Sequence, residues 1–369
     1  MNEQDTFHKI ALSQLHGIKS IRLTRILSQL TDYQDIFTFS DHELWLQTGV
    51  NKSIISSLNR GNALKKAELQ MRYNEKHEII TSFFLDSDFP RRLKQCSDTP
   101  VVLYSKGKFN WNQQKVLAIV GTRNPTEYGR DFLENLLNEL KADDILIVSG
   151  LAYGIDAHAH SLCLAKGIST LGVLGHGIDR VYPSNHKMMA HEMLHNGGLL
   201  TEFMIGTKPD RENFPMRNRI VAGLSDATLV IESKEKGGSI ITAELAFDYN
   251  REVFALPGDV NRLTSKGCNN LIRKGIAHIL ESAEDIRFVM NWEGKSLPKQ
   301  QSIDFVYDEV EKVLIDLIDF SPTIHIDTLH MKSGIPFTTL QGILLQLELK
   351  DAICKLPGNR WAIYRKNVS

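Results

Sequence analysis

The sequence predicts an α/β protein built on a doubly wound, mostly parallel sheet, with a helical region before it and a small helix-and-hairpin region after it. Three observations carry this. Between Lys115 and about Met290, short runs such as Val116-Leu-Ala-Ile-Val120 and Ile145-Leu-Ile-Val148 alternate with amphipathic helical stretches. The runs are apolar throughout rather than at every second residue, as strands covered on both faces must be. Nearly every run also ends in glycine, which permits a tight turn and a close backbone approach.

Residues 1–82 read as short helices. Leu15-His-Gly-Ile-Lys19, followed by Ile21, Leu23, Ile26, Leu27 and Leu30, is a glycine turn opening an amphipathic helix. That is the shape of a helix-hairpin-helix or SAM-like domain, whose turn amides can touch phosphates. Thr48-Gly-Val-Asn-Lys52 repeats it more weakly, and a plain helical packing domain is the alternative. An extended lead-in from Phe83 to Gly107 then opens the central domain, 83–290. Its strands are expected at Val116–Val120, Ile145–Val148, Thr170–Leu174, Leu199–Thr201, Thr228–Ile231 and Val253–Leu256. Helices are expected at Tyr128–Leu140, Ile155–Ala165 and Ile240–Tyr249. This is a Rossmann-like pattern. Residues 291–302, rich in Gly, Ser, Pro, Lys and Gln, read as a linker. In 303–369, helices at Val310–Ile318, Ile326–Met331 and Thr338–Leu349 precede a hairpin from Lys355 to Tyr364, the order of a winged helix. Thr338–Leu349, in the recognition-helix position, holds no arginine and only Lys350 at its end, which argues against tight duplex reading and leaves protein contact or packing at least as open.

Bulk composition narrows the function. At 369 residues the chain exceeds one ordinary core, so two or three domains are expected. A net charge of -1 excludes broad basic adhesion to nucleic acid, so any such contact must come from a local patch. The first nine residues lack a cationic stretch followed by an apolar one, and no apolar run approaches the roughly 18 residues of a membrane span. A cytoplasmic protein without a membrane partner is expected. Cys96, Cys163, Cys268 and Cys354 lack metal-ligand spacing and read as reduced thiols.

The candidate site lies at the carboxyl ends of the strands, where doubly wound sheets bind ligands. Gly121-Thr122-Arg123, Ser149-Gly150 and Gly237-Gly238-Ser239 are the turns there, and Lys187 follows Tyr182-Pro183. Phe214-Pro-Met-Arg-Asn-Arg-Ile220 adds Arg217, Asn218 and Arg219 at the expected start of a helix, two guanidinium forks suited to phosphate. These groups are expected to converge on an anion. No dinucleotide fingerprint or phosphate-binding P-loop is present. His158 and His160, two apart on one helix, cannot share a face as a metal pair. Ser149 and Ser239 lack a nucleophile elbow. Polyanion binding, with no cofactor, metal or catalytic residue, is the expectation.

Taken in order, these motifs resemble one family. They are Gly121-Thr-Arg123; Ser149-Gly-Leu-Ala-Tyr-Gly-Ile-Asp156 with Ala159-His160; Leu174-Gly-His-Gly-Ile-Asp179 with Tyr182-Pro183 and Asn185; Phe214-Pro-Met-Arg-Asn-Arg-Ile220; Gly238-Ser239; Pro257-Gly258; and Gly267-Cys-Asn269. The chain resembles the DNA-processing protein A family of bacterial natural transformation. The resemblance implies a non-enzymatic protein that binds incoming single-stranded DNA, protects it, and helps load the RecA recombinase as a homodimer. It implies that Arg123 and Arg217-Asn218-Arg219 contact the strand, that the turns at Gly150 and Gly238 let it approach, and that Lys187 reaches it. It points to the end of the sheet for dimerisation, with Ile276 and Ile279 as candidates and core packing as the alternative. Tyr128, Tyr153, Tyr182 and Phe214 are candidate stacking side chains. Two other readings stay open: a phosphoribohydrolase of the lysine-decarboxylase-like group, whose Pro-Gly-Gly-x-Gly-Thr loop Lys236-Gly-Gly-Ser-Ile240 only partly matches, and a duplex-reading regulator.

Overall fold

The computed structural model describes residues 3–18, 20–292, 307–319, 323–350, 352–356 and 358–363. The chain divides into two compact units, Met1–Trp292 and Glu293–Ser369.

The first unit holds a nine-stranded sheet. Its strands are β1 (Ile80–Phe83), β2 (Val102–Lys108), β3 (Lys115–Val120), β4 (Ile145–Ser149), β5 (Ser169–Val173), β6 (Gly197–Thr201), β7 (Ala227–Val230), β8 (Glu252–Ala255) and β9 (His278–Ile279). Their order is β1-β2-β6-β5-β4-β3-β7-β8-β9. β3 to β9 are mutually parallel, and β1 and β2 add an antiparallel edge. β3 and β4 are buried along almost their whole length, as continuous apolar runs require.

From β3 the chain steps outward through β4, β5 and β6. It then returns to lay β7 on the other side of β3 and continues to β8 and β9. The loops after β3 and β7 therefore leave in opposite directions and open a crevice between them. Val120 pairs with Val230 at its mouth.

Before the sheet come the helices Glu3–Ser13, Ser20–Leu27, Asp35–Thr38, Asp41–Thr48, Lys52–Ser57 and Arg60–His77. Gly17 and Gly49 make the two anticipated glycine turns, with φ of 72° and 63°. These helices share one apolar core with the sheet: Ile10, Leu12, Leu23 and Leu44 belong to the same cluster as Phe83, Leu103, Tyr104 and Leu200. Lys9 pairs with Asp86 at 2.6 Å, and Lys106 Nζ donates to the carbonyl of His77 at 2.7 Å. The sheet also begins at Ile80, inside the stretch read as helical. The 18-residue helix Arg60–His77 is longer than the short helices expected, because its buried face is Ala63, Ala67, Gln70 and Asn74 rather than large apolar residues. Among the described residues no helix is long and apolar enough to cross a membrane.

The second unit holds the helices Glu309–Asp319, Ile326–Ser333 and Phe337–Leu349 around Leu314, Leu329, Leu344 and Trp361. Its sheet has the order β10 (Ile324–His325), β12 (Arg360–Ile363), β11 (Ile353–Leu356). This is a winged helix. β10 was not legible in the sequence, since two residues leave no periodic trace. The linker after Trp292, and Tyr364 at the end of the expected hairpin, lie outside the described residues.

Candidate functional site

One buried carboxylate organises the crevice. Glu232, just past β7, is 1% exposed. Its oxygens accept the Thr126 N–H at 2.7 Å, the Thr126 hydroxyl at 2.8 Å and the Thr264 hydroxyl at 3.1 Å. Its carbonyl accepts the Thr122 N–H at 2.7 Å. The turn after β3 is thereby clamped to the turn after β7.

Two glycines then let the β3 and β4 loops meet. A Cβ on Gly121 would lie 2.6 Å from Ile155, and one on Gly154 would lie 2.2 Å from the Thr122 carbonyl. Gly154 also has φ of 82°, in the region that favours glycine. Asp156, in the first turn of the helix Ile155–Lys166, accepts the loop amides of Gly150 at 3.1 Å and Ala152 at 3.4 Å. It closes the Gly150–Gly154 loop on itself.

Arg217 enters this loop from the helix Asn213–Leu224. It is 5% exposed, and its Nη1 donates to the Val173 carbonyl at 3.3 Å. Its Nε is buried with no partner among the described residues. Burial pushes the Asp156 carboxyl up from its ordinary value, while Arg217 and the two loop amides hold it down. Burial likewise lowers the Arg217 value, opposed by Asp156 and reinforced by the charge of Arg123. A guanidinium keeps its proton in such surroundings, so the crevice contains a fixed cation only partly compensated by its neighbours.

The resulting cleft has a volume of about 340 Å³. Its charged lining is Arg123, Arg217, Lys234 and Lys236 against Asp156 alone, four cations to one carboxylate. A smaller extension of about 70 Å³ shares Arg123, Gly150, Phe214 and Arg217 with it and adds Tyr153 and Tyr182. Both tyrosines are nearly half exposed, and the Tyr182 and Phe214 rings lie 6.1 Å apart. Such a groove presents charge at one part and aromatic faces at the other, the two elements that hold a flexible nucleic acid strand.

Of the residues expected at the site, Gly121, Thr122, Arg123, Gly150, Arg217, Asn218, Gly238 and Ser239 line this one cleft. Arg123 is exposed and has no hydrogen bond or ion pair among the described residues. Asn218 Nδ2 donates to the Gly238 carbonyl at 3.4 Å, and the Ser239 hydroxyl donates to Ser233 Oγ at 2.8 Å. Gly237 is the crowded glycine of that turn, 2.5 Å from Ser233 Oγ at its would-be Cβ, whereas Gly238 faces open space.

Three expected residues lie elsewhere. Arg219 does not converge with Arg217: it ion-pairs with Glu202, donates to the Asp98 carbonyl, and lines a different cleft. Positions two apart on a helix diverge by about 200°, so these two arginines cannot meet one anion. The Ser149 hydroxyl is fully buried, donates to the Ile119 carbonyl at 2.6 Å, and does not line the cleft. Lys187 is exposed at the start of the helix Lys187–Met193, outside the cleft lining. Its neighbour His186 reaches the rim instead, with Nδ1 3.0 Å from the Leu151 carbonyl and its ring edge-on to Tyr153. Tyr128 also stands apart, donating to the Pro257 carbonyl at 2.7 Å under Arg262.

Lys234, Lys236 and Asn124 were missed in the sequence. The signal was there for the lysines, which lie between an apolar strand and the glycine turn that follows it. At the sheet's end, Ile276 packs into the core while Ile279 on β9 is half exposed. His160 is fully buried with Nδ1 2.7 Å from Thr170 Oγ1, and burial pulls it down to about 3. Among the described residues no group of His, Cys, Asp and Glu could hold a metal ion.

Comparison with known proteins settles the family. Residues 80–291 match the family described as DNA recombination-mediator protein A, and residues 298–359 match the DprA winged helix domain. The chain belongs to the DNA recombination-mediator protein A family. Within that family, a protein Smf of Synechocystis sp. is 35% identical over 288 residues, covering 76% of this chain and 71% of its own. The DNA processing protein DprA of Bacillus subtilis is 35% identical over 257 residues, covering 67% and 86%. The crystal structure of DNA processing protein A from Streptococcus pneumoniae superposes with a TM-score of 0.64 at 29% identity, covering 78% of this chain and 96% of that one. The structure of the Helicobacter pylori protein gives a TM-score of 0.53 at 30% identity, covering 58% and 96%.

Proposed function

We propose that this protein binds single-stranded DNA along the carboxyl edge of its sheet, without enzymatic turnover. In this reading it protects DNA taken up during natural transformation and helps load the RecA recombinase onto it, acting in the cytoplasm. The observation that carries the reading is the cleft lining itself, four cations to one carboxylate around open glycine turns. The Helicobacter pylori relative, whose structure concerns its single-stranded DNA binding mode, supports the choice of ligand.

The geometry divides the work. Arg217, held in place by the β4 loop, supplies a charge that needs no reorganisation when a phosphate arrives. Arg123, Lys234 and Lys236 lie exposed around it and neutralise neighbouring phosphates, releasing counterions. Tyr153, Tyr182 and Phe214 offer faces on which bases stack, with little sequence preference. The site's carboxylates are committed to structure: Asp156 to loop amides, Glu232 to Thr126 and Thr264. That weighs against nucleotide hydrolysis, in which a free acid or base must face the substrate. Dimerisation through the end of the sheet, with Ile279 at the contact, completes the proposal.

The test is fluorescence anisotropy with a labelled oligothymidine strand and a matching duplex, across a salt series, with RecA-filament formation scored on the same strand. Preference for the single strand with a steep salt dependence is expected. Equal binding of the duplex, or release of free base from AMP in a parallel incubation, would replace this reading.

A further inference from the structure

The helices Asn213–Leu224 and Gly238–Asp248 divide their side chains between two clefts. Arg217, Asn218, Ser239 and Thr242 face the one already described. Pro215, Met216, Arg219, Ile241 and Leu245 face a larger one, of about 710 Å³, closed on its other side by Ser13 and Ile18 of the N-terminal region and by Asp98–Val102.

Its walls are mainly apolar: Ile18, Val101, Met216, Ile241 and Leu245. Ile241 and Met216 stay 43% and 47% exposed, so the cleft offers apolar surface to a ligand. The polar groups lie together as Asp98, Thr99, Glu202 and Arg219. Arg219 donates to one oxygen of Glu202 and to the Asp98 carbonyl, and the Tyr249 hydroxyl donates to Asp98 Oδ1 at 2.6 Å. The second Glu202 oxygen, Oε1, is buried with no donor among the described residues, and Thr99 Oγ1 is likewise unpartnered. Two carboxylates thus stand against one guanidinium, which pairs with Glu202 alone while Tyr249 holds the Asp98 carboxylate, and an enclosed acceptor is left over. Buried acceptors are normally satisfied, and a surplus of negative charge beside an apolar wall selects against phosphate.

We propose that this cleft is a second ligand site, for a small molecule with an apolar body and a cationic N–H head, an ammonium or amidinium. The body removes Ile241, Met216 and Leu245 from water, and the head donates to Glu202 and Asp98. The charge sign separates it from the nucleic-acid cleft across the same two helices.

The experiment titrates the full chain with benzamidine, its neutral analogue benzamide and the anion benzoate, by saturation-transfer NMR and calorimetry. Oligothymidine affinity is measured in parallel. Saturable benzamidine binding is expected, with benzamide and benzoate weaker by roughly tenfold or more. Glu202→Gln, which removes the charge, and Ile241→Trp, which fills the cleft, should each weaken benzamidine by a similar factor. Ile241→Trp should leave strand affinity unchanged. If Glu202→Gln does not fold, Ile241→Trp alone decides. No binding of benzamidine, equal binding of the three probes, benzamidine binding untouched by the substitutions, or its displacement by oligothymidine overturns the proposal. Failure of oligothymidine to bind at all counts only against the first cleft.

Discussion

The guanidinium of Arg217 occupies the space that a side chain at position 150 would need: a Cβ on Gly150 would stand 1.4 Å from Nη1. No rotation of an alanine methyl relieves that overlap, so one of the two must move. Gly150→Ala is therefore expected to displace Arg217, cost about 1–3 kcal/mol of stability through overpacking, and weaken single-strand binding. In the double variant Gly150→Ala, Arg217→Ala the packing cost should largely disappear while binding stays weak. Urea unfolding and anisotropy on the four proteins of the cycle check this. Strict additivity would mean that the two residues do not interact.

Arg123 and Arg219 separate charge that binds from charge that holds the fold. Arg123 is exposed without a partner, so Arg123→Ala should leave unfolding unchanged, weaken the strand by roughly 1–3 kcal/mol and lower the salt slope by about one. Arg219→Ala should do the reverse, because it strands the largely buried carboxylate of Glu202 and removes a donor from Asp98. A lower salt slope for Arg219→Ala, with stability intact, would return Arg219 to the binding surface.

Lys234 and Lys236 precede the glycine turn after β7 and line the cleft. Replacing both by glutamine is expected to lower the salt slope by about two and weaken binding similarly across strands of different sequence. Thermal unfolding should be unaltered, since both side chains are exposed. An unchanged salt slope would place the strand away from the β7 side of the crevice.

Glu232 is the clamp between the two sides of the crevice. Glu232→Ala removes the acceptor for Thr126 and Thr264 in a fully enclosed position and should destabilise by roughly 2–4 kcal/mol. Hydrogen exchange should quicken at the turns Gly121–Thr126 and Ser233–Ser239. Unaltered exchange there would show that the loops are held by their own backbone.

His160 sets a pH dependence whose sign follows from linkage. Its folded value is pulled down to about 3 by burial, from an ordinary value of 6.5. Between those values the unfolded chain takes up a proton that the folded chain refuses, so stability is lost as pH falls through this window. The slope is about 1.4 kcal/mol per pH unit for one such group. His158 and His176 are lowered by burial too and act in the same direction. His160→Gln should flatten the stability profile between pH 6 and 4 by about one group's worth. An unaltered profile would mean that His160 is protonated inside the fold.

The parallel sheet was legible because its strands are buried on both faces, and residues such as Val116–Val120 and Ile145–Val148 can satisfy that only by being apolar throughout. The glycine turns were legible for a related reason: Gly121 and Gly154 face backbone or side chain at distances no Cβ tolerates. Local chemistry and order along the chain thus determined the fold class, the rim and the family resemblance. Which charges face one another was decided only in three dimensions. Arg217 and Arg219 are nearly equivalent in sequence, yet the helix that carries both turns one toward Gly150 and the other toward Glu202. Side-chain direction on a helix depends on which surface the helix buries, and that follows from packing between elements far apart along the chain.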